Sequence, residues 1–305
     1  MPVLLIKNET SKLVSVVLGT ALSMGDTPKL EDAYDPKSKE HIKNGTFPTE
    51  KDIAEEISEF KKALETNNIK VYRPESIENY NQIFTRDIGC VIENKFLITN
   101  MISERSREIE AIGHVLNQIP AENIHKAPLN ARFEGGDVMP HNDYIFIGYS
   151  EEPDFSTYKV ARTNKAGVDF IQSKFPEKIV KGFELSKSDT EPRENALHLD
   201  CCFQPFGLGH AIIHEQGFKN TEDFNWLLNL FGTENCLTLD KTEMYEMGCN
   251  LFSIDKNHVI SDKRFKRINS WMKEKGYSVT EINYKETSKM EGLLRCSTLP
   301  LCRED

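Results

Sequence analysis

The sequence has no long hydrophobic run and no excess of positive charge, and each absence excludes a class of protein. Its longest apolar runs are only as long as a strand, so we expect no membrane-spanning helix. Lysine and arginine together number 38 against 48 aspartates and glutamates, which gives a formal net charge of −10. A nucleic-acid partner is therefore not expected, because phosphate binding needs an excess of lysine and arginine on one face.

The sequence also lacks a disulfide framework, a leader and a linker. Its seven cysteines are an odd number without regular spacing, as expected in a reducing compartment. The first residues include a short apolar run but no basic leader before it and no small-residue cleavage site after it, so we expect a cytoplasmic protein. The 305 residues could form one large domain or two ordinary ones, but no stretch rich in proline, glycine or serine divides them, and we expect a single domain over residues 1–305.

One order of elements is used about five times in the chain: two short strands, a helix and another strand. Repeats of one unit pack around a shared centre, so we expect an α/β fold with the units arranged around an axis. The polar segment from about residue 20 to 48 is too long for a plain connection and is predicted to be a lid or an oligomer contact. The predicted strands are 3–6, 13–18, 70–72, 88–92, 96–99, 138–140, 144–148, 196–203, 211–214, 251–254, 258–260 and 278–282, and the predicted helices are one after Thr49 and those at 103–116, 165–175, 221–230 and 262–275.

Polar residues fall at corresponding places in these units. If the units surround an axis, equivalent strand ends meet there, and residues far apart in the chain form one site. The residues concerned are Asp87 before the second unit, Glu134 and Asp137 at the start of the third, His198 and Asp200 in the first strand of the fourth, and Cys296 after the last.

Cys296 is the candidate nucleophile of this site. Arg295 precedes it, and a neighbouring guanidinium favours the reactive thiolate over the thiol. A histidine such as His198, with a carboxylate such as Glu134 fixing its tautomer, is the usual partner of a cysteine nucleophile. The alternative is that Cys296 is only a small buried apolar residue, the commoner role of a free cysteine.

Two further acids, Asp87 and Asp200, are more than a protease-like site requires, and they indicate a cationic substrate. A planar guanidinium offers five N–H donors that two carboxylates can grip, and it does not lose its proton. We therefore expect Cys296 to attack the guanidinium carbon and form a covalent amidino-thioether, with proton transfer by His198 and release of a ureido product by water. This chemistry requires no metal and no organic cofactor.

A zinc site is the alternative use of the histidines at 210 and 214, whose i, i+4 spacing is typical of ligands on a helix. Their segment is predicted to be a strand, however, on which residues at this spacing lie too far apart to share an ion. We therefore expect no metal site.

Four motifs in order resemble those of the guanidino-modifying superfamily, which includes arginine deiminases, dimethylarginine dimethylaminohydrolases and amidinotransferases. They are Asn-x-x-Phe-Thr-Arg-Asp at 81–87, Glu-Gly-Gly-Asp at 134–137, His-Leu-Asp at 198–200 and Arg-Cys-Ser-Thr at 295–298, within a resemblance that covers roughly residues 80 to 301. The resemblance implies the pentein fold, a five-bladed α/β propeller of ββαβ units around a pseudo-fivefold axis. It also implies these roles: Cys296 as nucleophile, His198 as general acid and base, Glu134 as its partner, and Asp87 and Asp200 as the guanidinium clamp.

The resemblance further implies residues that bind the rest of the substrate. Arg162 and Arg105 are similar to arginines that bind the substrate α-carboxylate, with Arg107 as the alternative to Arg105. Asn81 matches a substrate-contacting asparagine of arginine deiminases, and Asp137 completes the predicted substrate-binding set.

Departures from the family pattern leave the substrate open. Dimethylarginine hydrolases usually lack the second acid of the His-x-Asp element, so Asp200 indicates an unsubstituted guanidinium. Classical arginine deiminases are longer than 305 residues, and the glycine-rich lead-in to the cysteine is reduced here to Glu291-Gly-Leu-Leu. We expect a hydrolase of arginine or a related small guanidino compound, with an amidinotransferase and a non-catalytic guanidine-binding protein as alternatives. Assembly into a homo-oligomer is left open.

Overall fold

The computed structural model describes residues 2–305, which form five β-sheets of three strands each. In every sheet the middle strand pairs antiparallel with one neighbour and parallel with the other. The sheets are β1 (Lys12–Leu18) with β2 (Lys70–Tyr72) and β15 (Thr298–Glu304); β3 (Gly89–Ile92), β4 (Lys95–Ile98) and β5 (Ile124–Lys126); β6 (Val138–His141), β7 (Tyr144–Tyr149) and β8 (Ile179–Glu184); β9 (Phe203–Phe206), β10 (His210–Ile213) and β11 (Cys236–Thr238); and β12 (Phe252–Asp255), β13 (His258–Asp262) and β14 (Ser278–Ile282).

Helices connect the strands within and between the sheets. Several are only about one turn long, and short 3₁₀ turns such as Gly135–Asp137 extend the connections. The α-helices of the described chain are α1 (Pro36–Lys43), α2 (Glu50–Thr66), α3 (Gly113–Leu116), α4 (Asp154–Thr157), α5 (Lys165–Lys174), α6 (Leu199–Cys202), α7 (Thr221–Phe231), α8 (Lys241–Tyr245), α9 (Lys266–Glu274) and α10 (Lys285–Ser288).

Helix α2 confirms the predicted capped, amphipathic helix of the first unit. The Thr49 hydroxyl accepts the backbone N–H of Asp52, whose carboxylate accepts the Thr49 N–H in return, so two free donors at the helix start are satisfied. One face of the helix enters the core, where Phe60 meets the ring of Phe252 edge to face at 5.7 Å. The buried apolar residues of this face are Ile53, Ile57, Phe60 and Leu64.

The first predicted unit is wrong in one strand. Residues 3–6 do not pair with β1; Leu5 and Ile6 form only isolated bridges, to Cys302 and Glu93. The antiparallel partner of β1 is β15, from the opposite end of the chain. A pairing between segments so distant in sequence leaves no trace in local periodicity.

Two further predictions differ from the structure. Residues 103–116 form two 3₁₀ turns and the short helix α3 rather than one helix. The strand predicted at 196–203 is wrong, because residues Leu199–Cys202 form α6 and β9 begins only at Phe203. The turn is favoured by Asp137, whose Oδ1 accepts the Leu199 backbone N–H at 2.9 Å as an N-terminal cap does. The other predicted elements are present with shifts at their ends.

The architecture is a mixed α/β fold whose buried apolar residues form three clusters. None of the helices in residues 2–305 has the length and apolar character needed to cross a lipid bilayer.

One strand of each sheet, the antiparallel neighbour of the middle strand, is preceded by a polar or thiol side chain within three residues. These five strands are β3, β6, β9, β12 and β15. The residues that precede them are, in order, Asp87, Asp137, Asp200, Asn250 and Cys296, all of them buried.

Candidate active site

The predicted site residues converge on one cavity of about 240 Å³. Glu134 and Asp200 are fully buried and do not line the cavity themselves. Glu134 contacts His198 and Asp200 contacts Cys296, both of which line it. Part of the 20–48 segment, including Tyr34 and Asp35, forms one wall of the cavity, whereas its role as an oligomer contact stays a prediction. The predicted residues that line the cavity are Asn81, Asp87, Arg105, Arg162, His198 and Cys296.

Glu134 is bound between a histidine and an arginine. Its Oε2 lies 2.9 Å from His198 Nε2, and both of its oxygens lie 3.3 Å from the Arg162 guanidinium. Burial opposes ionisation, but Arg162 and His198 outweigh it and lower the pKa of Glu134 well below its usual range. The carboxylate is therefore ionised and orients the imidazole.

Asp87 has one occupied and one free oxygen. Its Oδ2 accepts a hydrogen bond from Arg105 at 2.7 Å, while its Oδ1 is buried without a hydrogen-bond partner, 3.6 Å from His198 Nδ1. Burial lowers the pKa of His198, but the carboxylates of Asp87, Asp137 and Glu134 outweigh it and raise the pKa to about 9. The imidazole is therefore a cation at neutral pH.

The thiol of Cys296 contacts an amide and a carboxylate. Asn250 Nδ2 donates to the sulfur at 3.1 Å, and Asp200 Oδ2 lies 3.6 Å from it. Burial, followed by the charges of Asp200 and Asp87, raises the pKa of Cys296 well above its usual value. The thiol is therefore neutral at neutral pH, and His198 is bonded to Glu134 rather than to the sulfur.

The prediction that Arg295 activates the neighbouring thiol is wrong. Its guanidinium donates to Asp200 Oδ2 at 2.8 Å, to the Gly136 and Val138 carbonyls, and to both oxygens of Glu9. None of its N–H groups donates to the sulfur, and the Asp200 oxygen that it binds is the one beside the sulfur. Arg295 instead fixes the Asp200 carboxylate.

Both predicted carboxylate-binding arginines lie at the cavity, but their guanidinium groups are occupied. Arg105 is buried and also binds Glu108 through two N–H donors. Arg162 donates to the carbonyl oxygens of Lys159 and Tyr34 in addition to Glu134. Arg107, the alternative to Arg105, is half-exposed and pairs with Glu110, so it does not line the cavity.

Asp137 supports the site from outside the cavity, contrary to the prediction that it binds substrate. One of its oxygens accepts the Thr163 hydroxyl at 2.6 Å and the other accepts the Leu199 N–H, so neither is free. It therefore positions the turn that carries His198. Gly136 allows this approach, because a Cβ there would lie 2.6 Å from His198 Nδ1.

Asn81 lines the cavity as predicted, and its Oδ1 accepts the Ile83 backbone N–H at 3.0 Å. Two residues that sequence reasoning missed are Asn250, which binds the thiol, and Glu291, a buried acid in the cavity wall. The position of Asn250 before β12 matches that of Asp87 before β3, and this correspondence could have identified it.

One group in the described chain has three ligand atoms close enough to hold a metal ion: Asp87, Glu134 and His198, within 4.8 Å of one another. Arg105 and Arg162 already contact these two carboxylates. A divalent cation would therefore lie beside two buried positive charges, an unfavourable position for it.

Comparison with known proteins establishes the family. The family model described as "N,N dimethylarginine dimethylhydrolase, eukaryotic" matches residues 31–302. The chain belongs to this family. It is therefore an enzyme of the guanidino-modifying superfamily, whose members act on guanidino groups.

Individual relatives are distant in sequence. The uncharacterized protein YkgA of Bacillus subtilis (strain 168) is 27% identical over 243 residues, which are 79% of this chain and 77% of YkgA. The N-terminal domain of ArgZ, a cyanobacterial arginine dihydrolase, superposes with a TM-score of 0.77 at 15% identity and covers 95% of this chain and 98% of that one. SxtG, an amidinotransferase from Microseira wollei, gives a TM-score of 0.75 at 18% identity over 99% of this chain and 98% of that one. These likenesses establish the mixed α/β fold of the superfamily.

Proposed function

We propose that this protein is a cysteine-dependent hydrolase of an unsubstituted guanidinium group, in arginine or a related guanidino compound. The observation that carries the proposal is the setting of the Cys296 sulfur, 3.6 Å from Asp200 in a cavity that also presents the free oxygen of Asp87 and the imidazole of His198. A thiol between buried anions suits attack on a flat cation.

Asp87 and Asp200 act as the clamp on the guanidinium. Each carboxylate is fixed by a buried arginine, Asp87 by Arg105 and Asp200 by Arg295, so neither needs to reorient when substrate binds. Their grip keeps the positive charge localised on the guanidinium and makes its carbon a better electrophile. Because Asp200 is fully buried beside the sulfur, an N-alkyl group on that side lacks room, which favours an unsubstituted guanidinium.

Substrate binding prepares the nucleophile. The guanidinium brings a positive charge next to the sulfur, which lowers the pKa that burial and the two aspartates have raised. The thiol then releases its proton to solvent, and the Asn250 N–H stabilises the thiolate.

The reaction proceeds through a covalent intermediate. The thiolate of Cys296 forms a C–S bond to the guanidinium carbon, and His198 donates a proton to the departing nitrogen as its C–N bond breaks. Ammonia or an amine leaves an amidino-thioether on the sulfur. Neutral His198, oriented by Glu134, then takes one proton from water as the water oxygen bonds to the carbon. The C–S bond breaks, the second water proton passes to the departing sulfur, and a ureido product and the neutral thiol result.

The proposed arrangement of the sheets is a five-bladed propeller within a single catalytic domain over 1–305. It is supported by the meeting of Asp87, His198 and Cys296, which belong to different sheets in sequence order, at one cavity. Contact of β1 with β12 and of β15 with β3 is consistent with neighbouring blades.

Amidinotransferase activity is the second candidate. An amine can replace water at the same thioether, and the fold of this chain is shared with SxtG, an amidinotransferase. A rate of guanidine consumption that depends on added glycine, ornithine or lysine would favour it over hydrolysis.

The test of the proposed function is product formation from a panel of guanidines. Arginine and simple alkylguanidines should yield ureido products with release of ammonia, and Cys296→Ser should abolish both. Cys236→Ser, a half-buried cysteine outside the cavity, is the matched control and should keep activity. Absence of any ureido product or amidino transfer across the panel would contradict the proposal.

A further inference from the structure

The cavity wall contains a second pair of carboxylates, Asp35 and Glu291, which the proposed chemistry does not use. Both line the cavity, and their exposed fractions are 4% and 5%. Glu291 Oε1 accepts a hydrogen bond from Asn195 at 2.6 Å, whereas Oε2 is buried and accepts no hydrogen bond from an N–H or O–H donor. Asp35 accepts the Ser38 backbone N–H at the start of α1.

No basic side chain neutralises this pair directly. In residues 2–305, no lysine or arginine nitrogen forms an ion pair within 4.0 Å of either carboxylate. Lys37 is buried nearby, but its ammonium donates to the Tyr245 carbonyl and lies 4.3 Å from the centre of that ring. Burial, followed by the charge of Asp35 and a hydrogen bond with its carboxylate, raises the pKa of Glu291 well above its usual value, against the opposing charge of Lys37. Glu291 therefore holds a proton at neutral pH. Such a pair gains most from a cation supplied by a ligand.

The backbone at Glu291 is unusual for a residue with a side chain. Its φ of +58° lies in the left-handed region, which glycine adopts without strain. The chain accepts this strain in the segment that leads to Cys296 and thereby places a carboxylate in the cavity wall. A strained backbone held at a ligand cavity is consistent with a binding role.

The cavity offers no free cation for a carboxylate on the substrate. Arg105 and Arg162 are the arginines that line it in the described chain, and no lysine does. Arg105 is engaged by Asp87 and Glu108, and Arg162 by Glu134. The arginines that line the cavity are therefore occupied, and Asp35 and Glu291 remain as an acid pair without a basic partner in an ion pair.

We propose that Glu291, with Asp35, forms an amine subsite, so that the preferred substrate is a small guanidino compound with an ammonium group at its other end. The inference rests on the proposed function for its assignment of the guanidinium to Asp87 and Asp200. The ammonium donates to Oε2 of Glu291 and takes the place of the proton that the pair otherwise holds, which is released to solvent.

The test is calorimetric binding to Cys296→Ser, which removes turnover, with three probes: 4-guanidinobutylamine, butylguanidine and 4-guanidinobutyrate. The amine should bind at least about tenfold more tightly than butylguanidine, because its ammonium forms a buried ion pair with Glu291. Adding Glu291→Gln should remove this preference. Glu291→Gly is the second variant. Glycine adopts a φ of +58° without strain, so we expect this variant to fold.

Glu104→Gln is the matched control, since Glu104 lines the same cavity but is already paired with Lys159. It should keep the amine preference.

Equal affinity for the amine and butylguanidine, tighter binding of 4-guanidinobutyrate, or a preference that survives both Glu291 variants would overturn the proposal. Amine-selective binding without turnover in the unmodified enzyme would support the subsite and contradict the proposed function. Ureido product formed without amine preference would do the reverse.

Discussion

Asn250 holds Cys296 at two points, with its amide N–H donating to the sulfur at 3.1 Å and its oxygen accepting the Cys296 backbone N–H at 3.1 Å. The same side chain therefore fixes the backbone of the nucleophile and stabilises its ionised form. No other side chain donates a hydrogen bond to this sulfur in residues 2–305.

We expect Asn250→Ala to slow the reaction about tenfold or more, because a hydrogen bond to a charged acceptor is worth about 1.5–3 kcal/mol. The loss should be in kcat and in the rate of thiol alkylation by iodoacetamide, measured against pH, with the alkylation profile displaced to higher pH. A variant whose alkylation profile is unchanged would assign Asn250 a structural role only.

The pH dependence of turnover should report His198. Its pKa, raised to about 9 by Asp87, Asp137 and Glu134 against the effect of burial, keeps it protonated through neutral pH. Because the protonated form delivers the proton to the leaving group, kcat should fall as pH rises through about 9. Replacing His198 with Gln should remove that limb and lower kcat by about 10²–10⁴. A kcat that declines already near pH 6.5 would contradict the assignment.

Asp200→Ser should make the Cys296 thiol more reactive but should slow the turnover of substrate. Loss of the carboxylate removes a charge that raises the pKa of Cys296, so alkylation of the empty enzyme near neutral pH should become faster. Turnover of an unsubstituted guanidine should fall about 10–100-fold, because a charge-assisted hydrogen bond is lost. The ratio of N-methylated to unsubstituted turnover should rise, as measured by competition. Unchanged alkylation together with unchanged turnover would remove Asp200 from the site.

The buried pair of Glu9 and Arg295 should contribute to acid stability. Burial opposes ionisation of Glu9, but Arg295 and Arg86 lower its pKa from 4.5 to about 2. The folded state therefore binds fewer protons than the unfolded state between these values. The resulting stabilisation, about 3 kcal/mol, is fully present above pH 4.5 and is lost as pH falls towards 2.

Glu9→Gln should lower the free energy of unfolding at pH 7 by about 3–5 kcal/mol, because it leaves Arg295 with one fewer buried counter-charge. It should also flatten the dependence of stability on pH between 4.5 and 2. Glu55→Gln, at an exposed i,i+4 pair with Lys51, is the control and should change stability by less than about 0.5 kcal/mol. Equal pH dependence in the two variants would contradict this account of Glu9.

Much of the site could be predicted because each motif contains residue types with a recognisable chemical role. The acids and the histidine at 87, 134, 198 and 200 were predicted at the starts of successive units. The structure brings Asp87 and His198 to one cavity with Cys296, and Glu134 and Asp200 contact His198 and Cys296 there. Their positions at the starts of units were sufficient, even where the predicted strand was wrong, as at His198.

The remainder depended on contacts between distant segments. β15 pairs with β1 from the other end of the chain, and α6 forms where Asp137 caps Leu199. Sequence adjacency was also misleading at Arg295, whose side chain turns away from Cys296 towards Glu9. Side-chain direction at a turn depends on tertiary partners, and neighbouring residues in the sequence do not reveal those partners.

The most direct test of the central claim is mass spectrometry of enzyme quenched during turnover of arginine and of 4-guanidinobutylamine labelled with ¹³C at the guanidinium carbon. The account predicts a labelled amidino adduct on the peptide that contains Cys296, absent in Cys296→Ser. Turnover to a labelled ureido product with no adduct on Cys296 under any quench time, or with the adduct on another cysteine, would contradict it.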